Sequence, residues 1–328
     1  KAMADGHTHY THSLGILELR EAICRHYQKQ YHVSVDPGQV IVLGGTSPGF
    51  FLLLSTIMEV GDEVIISDPH YCCYPNFIHF LGGKTVTVPV SESDGFQYRA
   101  EDIQEKISDR TCGILINSPS NPTGNLLSED RMRDIADLSP YIISDEIYHG
   151  LVYEGAAHSM LEFTDRVFTL NGFSKLFAMT GLRLGYLIVP KPFIRPIQKI
   201  NQNFFISANA SVQMAGIAAL ENADADVDRM RKTYDKRRKY IIERLKGMGF
   251  GITVEPTGAF YVFANAGHLS QDSHQLVLDI LEHAHVACTP GIAFGTNGEG
   301  YLRFSYANSL ENIAEGMDRL EAYLARIV

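Results

Sequence analysis

The sequence predicts an α/β fold: a mostly parallel seven-stranded sheet flanked by helices, with a smaller α+β domain at the C-terminal end. Three observations carry this expectation. Seven short apolar runs alternate with amphipathic helical stretches through the first roughly 200 residues, the pattern of a parallel sheet. Beyond them the texture changes to long helices with few strands. A length of 328 residues with 45% hydrophobic content supports a sizeable core and two domains. The boundary is placed near 215, which divides a large domain, 1–215, from a small domain, 216–328.

A first helix is expected at 17–30, then a strand at 40–43 where Val, Ile, Val and Leu follow one another. Further strands are expected at 63–67, 84–88, 113–117, 141–145, 167–170 and 184–189, with helices at 48–59, 100–107 and 129–138 between them. Ser47 and Pro48 read as the N-cap and first turn of the helix at 48–59. A serine oxygen can accept from free amides there, and proline's missing N–H costs nothing. In the second part, helices are expected at 211–220, 224–248 and 273–284 and from Leu310 onward, with strands at 252–254, 259–264 and 302–305. No internal repeat or low-complexity tract interrupts this order.

Composition narrows the function classes. A formal net charge of −10 argues against nucleic acid as the main partner. No apolar run reaches the length of about 18 residues that a membrane span needs. The start, Lys1 to Tyr10, is polar and rich in histidine and does not read as a signal peptide. Five cysteines without C-x-x-C spacing do not form a disulfide framework, so they read as reduced thiols in a cytoplasmic protein. Cys72 and Cys73 are adjacent, and read either as reactive thiols or as two small residues in a packed loop.

Ligands of open α/β sheets bind beyond the carboxyl ends of the strands. Four of the expected strands end in polar, ligand-suited sequence: Gly44-Gly45-Thr46-Ser47-Pro48, Ser118 to Gly124 with Asn121 inside it, Asp145-Glu146-Ile147-Tyr148, and Asn171 to Arg183 with Ser174 and Lys175 inside it. Together they offer a glycine-rich helix start, an amide, a carboxylate with a phenol, and an amine with a guanidinium. Such a set can hold a charged heteroaromatic phosphate. A helix start presents free N–H groups and a positive dipole end to an anion. Taken alone, the Gly-Gly-Thr-Ser-Pro run is also simply a good strand-to-helix turn, and it is no nucleotide P-loop because no Gly-Lys-Ser/Thr follows. A lysine such as Lys175, held among apolar neighbours like Phe173, Phe177 and Met179, can have its pKa lowered, which favours imine formation. A lone lysine beside a serine is more commonly a solvated surface group. It is the ordered set that argues otherwise.

That set resembles the fold type I pyridoxal-phosphate (PLP) aminotransferases of class I/II, the aspartate aminotransferase family. The motifs are Asn121-Pro-Thr-Gly124, Asp145-x-x-Tyr148, Ser174-Lys175 followed by Arg183, and Tyr301-Leu-Arg303-Phe-Ser305. Each is weak alone, but their order and spacing match the family along nearly the whole chain.

The resemblance implies a transaminase that moves an amino group between an amino acid and a 2-oxo acid, with PLP as cofactor and a homodimer with shared sites as the working form. It implies that Lys175 carries PLP as a Schiff base and moves the proton. Asp145 faces the pyridine nitrogen; at about 4 Å and an effective dielectric near 20, such a pair gains roughly 4 kcal/mol. Asn121 and Tyr148 hydrogen-bond the ring oxygen, with Tyr148 counted among the catalytic groups and Asn121 also beside the substrate. Tyr71 stacks on the ring, or else is a plain core aromatic. Gly45, Thr46, Ser47, Ser174 and Arg183 form the phosphate cup, and Tyr10 reaches the phosphate of the partner subunit. Arg303 clamps the substrate α-carboxylate, for which a planar fork suits better than an ammonium. His7, His9 and His12 fall where the family has an interface loop, and no metal is expected.

Departures from the family pattern matter too. Gly172 stands where members often have a hydroxyl, so one phosphate contact is expected to be missing or replaced by water. Thr46 stands where some dicarboxylate-specific members carry a lysine, and no arginine occurs at 201–209. Both weaken aspartate or glutamate as the preferred donor. Members usually have several tens of residues before the region matching Lys1, and impaired closure over the substrate is expected where they are lacking. Two other functions fit the same motifs: a PLP-dependent C–S β-lyase and a PLP-sensing regulator. The Phe177 to Arg183 stretch leans to transaminases, and the acidic charge speaks against a DNA-bound regulator.

Overall fold

The computed structural model describes residues 1–327. Its larger sheet has seven strands: β1 (Val40–Leu43), β2 (Glu63–Asp68), β3 (Lys84–Pro89), β4 (Thr111–Asn117), β5 (Tyr141–Asp145), β6 (Val167–Gly172) and β7 (Gly185–Ile188). They lie in the order β1-β7-β6-β5-β4-β2-β3. All neighbours pair in parallel except β7, which runs antiparallel to both β1 and β6.

The strands are apolar because both faces are covered, as parallel sheets require. Along β2, Val64 and Ile66 enter one buried cluster with Leu115, Ile143, Phe168 and Leu170, while Ile65 enters the opposite one with Ile114, Ile142 and Val167. The helices of this part are α1 (Leu17–Tyr31), α2 (Thr46–Ile57), α3 (Tyr74–Phe80), α4 (Ala100–Gln104), α5 (Glu129–Ala136), α6 (Ile194–Phe204) and α7 (Ala210–Asn222). Each side chain buried in these clusters stabilises the fold by about 1.5–3 kcal/mol.

After α7 comes α8 (Asp224–Gly247), then β8 (Tyr261–Asn265), α9 (Ser273–Ala284), β9 (Thr289–Pro290), β10 (Tyr301–Ser305) and α10 (Leu310–Ile327). The three strands form an antiparallel sheet in the order β8-β10-β9. A separate hydrophobic cluster from Ile241 to Leu324 fills the space between this sheet and α8, α9 and α10.

Several expectations need correction. No strand forms at 252–254, where only Gly251 bridges to Asn265 and the Thr253 amide donates to Glu92 Oε1 at 2.7 Å. Helix α2 starts at Thr46, so Gly45 and not Ser47 is its N-cap. Gly45 takes that position because its φ is +112°, a conformation open to glycine. Phe173, Phe177 and Met179 pack with α1 and β7, so the apolar surroundings of the Lys175 amine come from elsewhere.

Candidate active site

The register of the sheet brings three strand ends level. Asn117 of β4 pairs with Asp145 of β5, which pairs with Leu170 of β6. A cavity of about 400 Å³ opens beyond these ends, a volume typical of ligand pockets. It is lined by Thr46, Ser47, Tyr71, Asn121 and Asp145 from the expected set, and by Tyr148, Ser174, Lys175, Arg183 and Arg303 as well. Gly45 sits directly beside it. Tyr10 does not reach it: this side chain is 83% exposed and lines a separate groove with His7 and Ser207.

Asp145 is buried at the end of β5. Its Oδ2 accepts from the Tyr74 hydroxyl at 2.7 Å and its Oδ1 from the Ile147 amide at 3.2 Å. Burial pushes its carboxyl up to about 6, while those two hydrogen bonds and Lys175 pull it down. Asn117 joins the neighbouring loop to this strand: its Nδ2 donates to Asp145 O at 2.9 Å, and its Oδ1 accepts from the Asn121 amide at 2.8 Å.

Lys175 follows β6. Its Nζ lies 5.8 Å from the centre of the Tyr148 ring and 5.6 Å from that of Phe260. Burial among these rings holds the amine below its ordinary value; Asp145 raises it, and Arg183 and Arg303 lower it further. The Tyr148 hydroxyl bonds that of Tyr261 at 2.9 Å.

Two guanidiniums complete the cavity. Arg183 has a φ of +55° and donates from Nη1 to Thr180 O at 2.9 Å. Its Nη2 lies so near Gly45 that a Cβ there would come within 2.7 Å of it. Arg303, on β10, donates from Nη1 to Asn121 Oδ1 at 2.8 Å and from Nη2 to Thr289 Oγ1 at 3.1 Å. Its Cζ lies 4.4 Å from the Tyr261 ring centre and 4.8 Å from that of Phe294. Its Nε is buried without a partner.

Gly172 has a structural reason to be glycine. A Cβ there would fall 2.9 Å from both Gly185 Cα and Leu184 O, so a hydroxyl-bearing side chain does not fit this backbone. Three contributors were not foreseen. Asn117 ends a strand and could have been found by the rule that found Asp145. Tyr74 stands three residues after Tyr71, and Tyr261 arrives from the small sheet, with no linear signal in either case.

The chain matches the family "Aminotransferase class I and II" over residues 1–320. It belongs to that family. It is 44% identical over 328 residues to the (5-formylfuran-3-yl)methyl phosphate transaminase of Methanocaldococcus jannaschii, covering 99% of this chain and 85% of that one. It is 40% identical to an aspartate aminotransferase of Pyrococcus horikoshii, with the same coverage of each chain. Among solved structures, the aromatic aminotransferase from P. horikoshii superposes with a TM-score of 0.96 at 38% identity, covering 99% of this chain and 90% of that one. The chain is thus a transaminase, an enzyme of the EC 2.6.1 type, and the lyase and regulator readings are not favoured. Members of the family depend on PLP and act on amino acids and 2-oxo acids. No helix among the described residues is long and apolar enough to cross a membrane.

Proposed function

We propose that the cavity holds PLP, attached through the Lys175 amine, beside the amino acid or 2-oxo acid that exchanges an amino group with it. The observation that carries this reading is the convergence of a depressed amine and a buried carboxylate from adjacent strands, with two guanidiniums, in one cavity. The residues fit the group. Gly45 leaves open the space between the start of α2 and Arg183, and the unpartnered Nε of Arg303 has capacity for an anion.

When bound, PLP supplies an electron sink for a carbanion at the substrate Cα. The protein's part is to hold and orient. Asp145, buried and acceptor-only when ionised, favours a cation facing it and would keep a ring nitrogen protonated. Asn121 and the Tyr148 hydroxyl would donate to a ring oxygen, and Tyr71 would cover the ring. Gly45, Thr46, Ser47 and Ser174 offer amides and hydroxyls to a phosphate at the N-terminus of α2, and Arg183 offers its charge. Arg303 binds the α-carboxylate in a fork geometry. Once an incoming amino group displaced it from that attachment, the Lys175 amine, with its proton weakly held, would be the group to take a proton from the substrate Cα and carry it for return.

Tyr10 is read as serving the site of a second copy of the chain. Exposed Phe80, Phe204, Phe205 and Ile206 support a homodimer, since large apolar surface of this kind marks interfaces. The division into two domains is supported by the independent core from Ile241 to Leu324, with the boundary read as falling after α7, whose Ile217 and Leu220 pack with α1 in the larger part. All five cysteines are free thiols, which supports a reducing compartment such as the cytoplasm.

The test is a titration of the purified chain with PLP, followed by visible absorbance and then by a panel of amino acids. Wild type should gain a visible band that amino donors bleach, and Lys175→Ala should bind PLP without that band. A wild-type chain that takes up no PLP, or a Lys175→Ala chain with full turnover, overturns the reading.

A further inference from the structure

Glu146 lies between Asp145 and Tyr148 in sequence, yet no part of the proposed reaction uses it. It is 1% exposed. Its side chain turns away from the cavity into the interior. There Oε1 accepts from Ser144 Oγ at 3.1 Å, from Ser159 Oγ at 2.8 Å and from the Met160 amide at 3.1 Å. Oε2 accepts from the Tyr27 hydroxyl at 3.0 Å. His149 Nδ1 lies 3.5 Å from Oε2, but burial pushes that imidazole down to about 3, so the contact is not an ion pair at neutral pH. His149 Nδ1 is instead engaged by the Tyr31 hydroxyl at 2.7 Å.

One carboxylate therefore gathers donors from α1, from β5 and from the turn at 159–160. Its own backbone continues the tie: the Glu146 amide donates to Leu170 O of β6 at 2.8 Å, and its carbonyl accepts from the His149 amide at 2.9 Å. The turn 145–149 is thus gripped from behind. Without a cation beside it, ionising this buried group is costly, and burial pushes it up to about 7, so at neutral pH it is shared between carboxylate and carboxylic acid. Its persistence here calls for a role that an apolar residue would not fill.

We propose that Glu146 is a positioning residue, whose buried carboxylate fixes the strand-end turn that aims Asp145 and Tyr148 into the cavity. The proposal rests on the reading that those two residues contact PLP. Removing the carboxylate leaves the Met160 amide and the Tyr27 and Ser159 hydroxyls buried without acceptors. It also frees the turn to shift, and misplacement of reacting groups by about 1 Å can cost about 100-fold in rate. Arg303 belongs to another element and keeps its place.

The experiment compares Glu146→Ala, Glu146→Gln and Asp145→Asn in the PLP-loaded enzyme. A small-domain core variant, Leu245→Ala, serves as the stability control. The readouts are kcat, KM for an amino donor, the pH midpoint of the visible band, and the folded fraction. Glu146→Ala should lower kcat by about 10- to 100-fold, leave KM within about threefold, and move the band's pH midpoint. Glu146→Gln retains an oxygen for the Ser144, Ser159 and Met160 donors and should recover most of both. A folded Glu146→Ala enzyme with wild-type kcat and midpoint overturns the proposal. So does a kcat that falls only with the folded fraction, as in Leu245→Ala. Should Glu146→Ala not fold, Tyr27→Phe removes one donor and no carbon, and the midpoint must still move. If Asp145→Asn leaves the band unchanged, the reading of Asp145 itself fails and this proposal falls with it. If Asp145→Asn responds and the Glu146 variants do not, only this proposal fails.

Discussion

Replacing Asp145 by asparagine tests the electrostatics of the site before any reaction is run. Burial pushes this carboxyl from 3.8 up to about 6, against the pull of Tyr74, the Ile147 amide and Lys175. A folded value above the unfolded one means that the folded chain keeps this proton longer. The stability it contributes is fully present below about pH 4 and is lost as the pH rises through about 6. Each pH unit in that window is worth about 1.4 kcal/mol, so the ionised carboxylate costs the PLP-free chain about 3 kcal/mol at pH 8. Asparagine is close in size, keeps an oxygen for the Tyr74 hydroxyl and carries no charge. The loss of stability between about pH 4 and pH 8 should therefore be smaller in Asp145→Asn by about 3 kcal/mol. Glu146, pushed up to about 7 by burial, titrates in both proteins and cancels from the comparison. Urea unfolding of the PLP-free chains across that pH range, followed by circular dichroism, measures the difference. Parallel pH profiles would refute the reasoning, because burial would then not govern the ionisation of Asp145. With PLP added, the order should reverse, since the proposed ring cation compensates a carboxylate and not an amide.

Three other outcomes follow from the same geometry. Gly45→Ala forces a Cβ to within 2.7 Å of Arg183 Nη2 at a φ of +112°, so PLP affinity should fall about 10- to 100-fold. A fluorescence titration showing unchanged affinity would remove this turn from the phosphate cup. Arg303→Lys gives up the fork that meets Asn121 and Thr289, and kcat/KM for amino acids should drop about 10- to 100-fold, mostly through KM; a KM that does not move counts against the clamp. Phe80 and Phe204 are 79% and 70% exposed, and glutamate at both positions should shift the chain to monomer in sedimentation and lower its activity. A dimer that survives both changes places the interface elsewhere.

Strands β1 and β5 and helix α9 were legible at their observed bounds, because short apolar runs and a capped amphipathic helix carry their own punctuation. Helix α6 was not, because Pro196 reads as a breaker. In the structure it falls in the first turn of the helix, where it is tolerated. Helix α3 has only seven residues, too few for a helical period to show. The strand expected at 252–254 failed for a tertiary reason, since Glu92 takes the amide a ladder would have used. In the site, the groups on strand ends were legible because topology delivers the carboxyl ends of β1 to β6, which all run the same way, to one side of the sheet. Tyr74 and Tyr261 were not, because they reach Asp145 and Tyr148 across 71 and 113 residues of sequence. Such partners exist only once the chain has folded.

The Lys175 amine shows why those distant partners matter. Burial depresses it most, Asp145 raises it, and Arg183 and Arg303 lower it. The last two influences depend on whether each guanidinium is paired. An anion held against an arginine largely cancels that arginine's field at the amine. On the proposed reading, a phosphate pairs Arg183 for as long as the cofactor stays. A carboxylate pairs Arg303 only while an amino acid or 2-oxo acid is present. On that reading, the field at the Lys175 nitrogen would favour a proton more while a carboxylate pairs Arg303 than after it leaves. The proposed base would thus be strengthened by the molecule whose proton it is proposed to take. Asn121 is part of this arrangement, since it holds Nη1 of Arg303 at 2.8 Å and is itself held by Asn117. The Arg303 guanidinium is thereby tied, through Asn121 and Asn117 to the Asp145 carbonyl, to the strand end that presents the Asp145 carboxylate.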